Sequence, residues 1–112
     1  MPLYQMKIDV QPEKVEEFIR NLRTLWFDFL KEDGCLSYSV YREFEKENTF
    51  LAIGEFDSTE AIENHFRSRS YEILIGAANV LGNRFKIVIS DVTEKGGYDL
   101  VKEKIEIPGN RQ

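Results

Sequence analysis

The sequence has one cysteine, one histidine, one tryptophan and three prolines in 112 residues. A single cysteine, Cys35, excludes an intrachain disulfide framework. One histidine and one cysteine fall short of the roughly four N/S ligands that a structural zinc site takes. No apolar run approaches the ~20 residues of a membrane-spanning helix. No run of Lys or Arg exceeds two residues and the net charge is −5. The clustered basic face that a nucleic-acid backbone demands is therefore missing. The start, Met1-Pro2-Leu3-Tyr4-Gln5, lacks the basic and long apolar regions of a secretory signal, so the expected compartment is the cytoplasm.

What is present is a core. Hydrophobic residues make up 42% and aromatics 12%, too apolar a chain for disorder. The length suits one domain that buries about two thirds of the surface its unfolded chain exposes. Leu3 to Val10 alternates Tyr4, Met6, Ile8 and Val10 against Gln5, Lys7 and Asp9, a strand. Pro12 opens a helix whose apolar stripe runs Val15, Phe18, Ile19, Leu22, Leu25, Trp26, Phe29, Leu30. Gly34 is placed to end it in a left-handed conformation.

Cys35 to Phe44 and Thr49 to Phe56 read as two strands joined by the polar connection Glu45-Lys46-Glu47-Asn48. Gly54 and Ala52 form a smooth patch suited to close helix packing. Asp57 with Glu60 has the spacing of a capping box. Helices are expected over about Ser58–Phe66 and Tyr71–Leu81, broken at residues 67–70 and closed by Gly82-Asn83. Arg84 to Val92 is a fourth strand. Lys95-Gly96-Gly97 breaks the chain. Tyr98 to Ile107 fits a short helix or an added strand equally, and residues 108–112 read as a frayed tail.

The order β-α-β-β-α-β is that of the α+β, ferredoxin-like split βαβ fold with an antiparallel sheet. Helices cover one sheet face. The other face, expected to carry Gln5, Lys7, Glu55, Tyr38, Leu51 and Ile53, is mixed in polarity. Such a face suits a two-fold dimer with a pocket inside it.

Specific residues then resemble a family. Val15-Glu16-Glu17-Phe18 followed by Glu32-Asp33-Gly34-Cys35-Leu36-Ser37-Tyr38 is similar to the "helix, then E-x-G-C-x-x-Y" passage of the antibiotic biosynthesis monooxygenases. Phe56 to His65 resembles their W-x-S-x-E-A-x-x-x-H passage, with Ser58, Glu60, Ala61 and His65 in place. Ser68 and Tyr71 stand where S-x-x-[FY] follows. The resemblance covers residues 3–92. It implies a dimeric α+β barrel, here residues 1–95. Residues 96–112 read separately as an extension that caps its own sheet or reaches across to the partner; the second is the expectation, since Val101, Ile105 and Ile107 need an apolar surface to lie on. The resemblance also implies oxygen insertion into phenols, quinols or other aromatics with no cofactor and no metal. Two departures matter. Phe56 replaces the family's Trp and removes an indole donor. No histidine stands in residues 72–75, where the haem-degrading relatives carry an axial ligand.

His65, the only histidine, is the first candidate base, since an imidazole titrating near neutral pH can take a phenolic proton and return it. Its structural alternative is a ring that fixes its helix against a strand. Tyr71 and Tyr38 are candidate donors to a substrate carbonyl; the alternative for Tyr38 is a half-buried strand residue. Glu55, among apolar neighbours, is a second candidate base, or a paired carboxylate. Arg42, Arg84 and Phe56 are candidate substrate contacts; for the arginines, surface ion pairs are the competing reading. Cys35 reads as a small buried residue.

Three functions use this set. The first is a cofactor-independent monooxygenase taking a small aromatic and O2. The second is an isomerase or lyase on a small carbonyl compound, which would turn over without oxygen. The third is a dimeric module that binds a small ligand without catalysis.

Overall fold

A computed structural model describes residues 1–105 of the chain. The alternating segments form β1 (Pro2–Val10), β2 (Cys35–Arg42), β3 (Thr49–Phe56) and β4 (Gly82–Asp91). They pair antiparallel in the order β2-β3-β1-β4. A short 3-10 turn, Pro12–Lys14, leads into α1 (Val15–Leu30). After the hairpin come α2 (Thr59–Arg67), α3 (Arg69–Leu81) and, beyond β4, α4 (Tyr98–Ile105). This is the α+β ferredoxin-like arrangement. Among the described residues no helix is long and apolar enough to cross a membrane.

Tyr4, Met6, Ile8 and Val10 of β1 are each at most 1% exposed. They meet Phe18, Leu22, Leu25 and Phe29 of α1 and Leu74, Ala78 and Leu81 of α3 in one cluster. Gly34 has φ +83, and a Cβ there would stand 2.6 Å from Ala61 Cβ and 2.7 Å from Asp57 Oδ1. Glycine is thus needed both for the backbone turn and for the close approach of α2.

Four expectations are corrected. The α2 cap is Ser58, whose hydroxyl accepts from the Ala61 amide at 3.1 Å; Asp57 is one residue too early. The second strand stops at Arg42, and Phe44 is 98% exposed. Tyr38 lies on the helix-covered face and not on the mixed one. It pairs across to Gly54, which pairs to Tyr4, so all three share the inner face. The flat spot at Gly54 is filled by rings rather than by a helix, since a Cβ there would come within 2.8 Å of Phe56 and 3.0 Å of Tyr38.

The stretch from Tyr98 is helical to Ile105; Ile107 and the expected tail at 108–112 lie outside the described residues. α4 buries no residue, and its Tyr98 and Val101 are 78% and 52% exposed. β4 is exposed along almost its whole length. The radius of gyration is 17.0 Å, against about 13 Å for a compact chain near this length. β4 and α4 extend beyond the helical layer.

Candidate active site

The His65 ring sits in a box of six aromatic side chains brought from six elements or their neighbours. Ring centroids lie at 4.7 Å for Phe29, 4.8 Å for Tyr71, 5.3 Å for Phe56, 5.4 Å for Tyr38, 5.5 Å for Tyr4 and 6.1 Å for Phe66. The residue is 1% exposed. Local sequence explains how the pieces meet. His65 lies in the last turn of α2, and its carbonyl accepts from the Ser68 amide (3.1 Å) and hydroxyl (2.8 Å). The same Ser68 hydroxyl oxygen accepts from the Tyr71 amide at 3.1 Å and starts α3. One serine therefore closes the break between the helices and holds Tyr71 against His65.

The fourth side of the histidine is polar. Nδ1 lies 2.6 Å from Glu32 Oε1. Glu32 sits in the turn after α1, where its amide donates to the Phe29 carbonyl and its carbonyl accepts from the Cys35 amide. The left-handed Gly34 then reverses the chain and leaves the carboxylate beneath α2. The Glu32 side chain is 19% exposed. It faces a cavity of about 200 Å³ lined by Glu32, Asp33, Ala61, Asn64, His65 and Ser68.

One polar atom in the box, the buried His65 Nε2, has no partner among the described residues; the buried Tyr38 hydroxyl forms no well-aligned hydrogen bond and has only the Tyr4 phenol beside it. Buried polar atoms without partners cost free energy and are rare in folded chains. The remaining phenols satisfy each other, Tyr4 Oη to Tyr71 Oη at 2.8 Å. The Tyr38 backbone is also anchored, its carbonyl accepting from the Trp26 indole N–H at 2.7 Å.

Burial governs the charges. It holds the His65 imidazole down to about 4. It pushes the Glu32 carboxyl up to about 7, against an opposing hydrogen bond from Ser68 and with help from Asp28. It raises the phenols of Tyr4, Tyr38 and Tyr71 above their ordinary value. In this box a new isolated charge of either sign is disfavoured.

Of the residues singled out in the sequence, the fold gathers His65, Tyr71, Tyr38 and Phe56. Glu55 is elsewhere, on the outer sheet face, accepting from Ser37 (3.3 Å) and paired to Lys95 (3.1 Å). Arg84 pairs with Asp9 at 3.2 Å on the surface. The Arg42 guanidinium lies 5.1 Å from the Phe50 ring centroid, at the far end of β2. Sequence reasoning did not pick out Glu32, Tyr4 or Phe29. The signal for Glu32 was available: a lone histidine in an apolar setting needs a partner, and Glu32 opens the E-x-G-C passage two residues before the glycine that turns the chain. A larger groove of about 490 Å³, lined by Ile19, Leu22, Arg23, Trp26, Ser39 and Val40, runs between α1 and β2. Among the described lining residues Arg23 alone is charged.

Comparison with known proteins gives the same picture. The sequence profile of the antibiotic biosynthesis monooxygenases matches residues 1–73. An uncharacterised Synechocystis protein, sll1783, is 31% identical over 88 residues, 78% of this chain and 60% of that protein. The match thus spans less than two thirds of that relative. A conserved protein of Methanosarcina mazei superposes with a TM-score of 0.75 at 27% identity, covering 80% of this chain and 91% of the other. SnoaB of Streptomyces nogalater, a cofactor-independent oxygenase, superposes with a TM-score of 0.75 over 84% of this chain and 94% of its own, at 15% identity. At that identity the likeness is one of fold.

Proposed function

The chain belongs to the antibiotic biosynthesis monooxygenase family, and from that premise we propose that it is a cofactor-independent monooxygenase for a small quinol or phenolic aromatic. The observation that carries this reading is the buried His65 Nε2, which has no partner among the described residues and lies in an aromatic box that also holds the Tyr38 phenol. A substrate hydroxyl satisfies that nitrogen, donating to Nε2 and accepting from Tyr38.

Triplet oxygen reacts slowly with a neutral phenol. The anion passes one electron to O2, and the resulting radical and superoxide combine as a peroxide on carbon. Return of the proton, cleavage of the O–O bond and loss of water leave one oxygen on the substrate. The balance is SH2 + O2 → SO + H2O, so the substrate supplies the reducing electrons and no external reductant enters. An aromatic enclosure keeps the radical pair together and water out.

The box is filled by its own side chains, so a substrate ring enters by displacing one of them. Phe66 is the least buried of the six neighbours and is the natural gate.

The same reading takes a second copy of the chain as partner. On β4, Phe85, Ile87 and Ile89 point to the same side as the core residues of β1 with which they pair, yet they are 38%, 37% and 52% exposed. A homodimer would cover them, with residues 96–112 lying against the partner, in the cytoplasm.

Oxygen uptake tests the reaction. Hydroquinones, naphthoquinols and anthrones are offered to wild type and His65→Ala. Uptake above autoxidation, falling by about 10²-fold or more in a folded variant, is the expected result. Turnover of a carbonyl compound without oxygen would favour an isomerase. Saturable binding with no turnover would favour a binding module.

A further inference from the structure

We propose that Glu32 is the proton outlet of the aromatic box, receiving through the His65 ring the proton that the substrate gives up. This deepens the monooxygenase reading and rests on it for the proton donor. It makes Glu32 a positioning and relay residue rather than one that touches substrate.

The two ring nitrogens of His65 lie in different surroundings. Nε2 is buried among six aromatic rings with no partner. Nδ1 is 2.6 Å from a carboxylate oxygen that borders a polar cavity with Asp33, Asn64 and Ser68. One imidazole thus spans the wall between a dry compartment and a wet one. Its two nitrogens are coupled, because protonating one acidifies the other.

A histidine acting alone would become an imidazolium beside a substrate anion, two new charges among aromatic rings. The relay avoids this. The substrate O–H bond breaks and an Nε2–H bond forms; the Nδ1–H bond breaks and a Glu32 Oε1–H bond forms. The ring ends neutral in its other tautomer. One negative charge has moved from Glu32 to the substrate oxygen, and no charge has been created. Reversal returns the proton when the peroxide needs it.

The electrostatics agree with that exchange. Burial opposes the imidazolium down to about 4 and favours the protonated carboxyl up to about 7. Among the described residues, the titratable groups facing the pair are Asp28 at the end of α1, Asp33 on the shared cavity, Cys35 and Tyr38 at the start of β2, Tyr4 of β1 and Tyr71 of α3, with the Ser68 hydroxyl opposing the rise at Glu32. None is a cation, so nothing else in the site neutralises a substrate anion.

The chain's single histidine makes the test direct. Protein labelled with 15N-histidine gives one Nδ1 and one Nε2 signal, and protonated and unprotonated ring nitrogens are well separated. Above pH 8 the expected state is Nδ1–H with a bare Nε2. As pH falls through about 7, the proton should appear on Nε2 and leave Nδ1, with imidazolium forming only near 4. Glu32→Gln should abolish the transition near 7 and keep the low one; Glu32→Asp should keep a displaced transition. Backbone amide spectra establish that each variant is folded. Imidazolium formation near 7 in wild type, or a tautomer change that survives in Glu32→Gln, would overturn the proposal.

Activity separates the two levels. Glu32→Gln should lower kcat about 10²-fold with little change in KM and should lose the rise in rate with pH through about 7. A tautomer switch that Glu32→Gln removes, in a protein that oxidises no quinol, leaves the relay standing and removes the oxygenase. Quinol oxidation with unchanged kcat in Glu32→Gln does the reverse.

Discussion

β1 and β4 are neighbours in one sheet, share one alternation and end in opposite circumstances. Tyr4 pairs with Ile89, Met6 with Ile87 and Ile8 with Phe85, so each pair projects on the same face. The β1 members are at most 1% exposed and their β4 partners are 37–52% exposed. The difference is not in the strands. It lies in the helices, which cover β1 and leave β4 overhanging. Burial is a property of what lies above a strand, and the period-2 pattern records only which face expects cover. The covered region became a dry box able to hold proton chemistry. The uncovered one remains an apolar edge that a second chain would complete.

The largest effect should come from opening the covered side. Phe29 is 0% exposed and packs on both Tyr38 and His65. Phe29→Ala should cost about 3–5 kcal/mol in denaturant unfolding. A cost near that of a surface substitution would mean the box is not a packed unit.

A smaller effect is expected in the pH dependence of stability. The folded chain keeps the Glu32 proton up to about 7, whereas the unfolded chain releases it near 4.5. Alone, this makes stability fall as pH rises through that window. His65 works the other way: the unfolded chain takes up a proton below about 6.5 that the folded one refuses until about 4, so stability falls on acidification. The two slopes oppose each other in wild type. In Glu32→Gln only the histidine slope remains, and stability should drop by about 2 kcal/mol between pH 6.5 and 4. A flat profile in that variant would mean His65 is charged in the folded state.

The smallest effect on a single chain should be at the edge. Ile87→Asp should change monomer stability by about 1 kcal/mol or less while shifting sedimentation from dimer to monomer. An unchanged dimer would place the interface elsewhere.

Much of the fold was legible in the sequence because it is local. The α1 stripe, the alternation of the strands and the left-handed Gly34 each follow from spacing within about twenty residues. Tyr38 was assigned to the wrong face for the opposite reason. Its face depends on pairing with Gly54, and the β2–β3 register shifts between Cys35 and Ser37, which alternation within β2 does not record. Glu32 stood in the E-x-G-C passage but received no role, because its partner lies 33 residues away and only the folded chain joins them. Glu55 lies on the outer sheet face where the sequence placed it, paired to Lys95; what differs is the candidate site, which forms on the helix-covered face instead. The contact between His65 and Tyr71 was open in the sequence, because a helix break separates them; in the fold Ser68 supplies the joint.

The most direct test of the account is whether the box takes a proton before oxygen arrives. A naphthoquinol is titrated into wild type and His65→Ala without oxygen at pH 7.5, and absorption is read where its anion absorbs and its neutral form does not. The account predicts the anion band on wild type, at a pH well below that needed for the free quinol, and its loss in the variant. A quinol that binds wild type with the spectrum of its neutral form would contradict it.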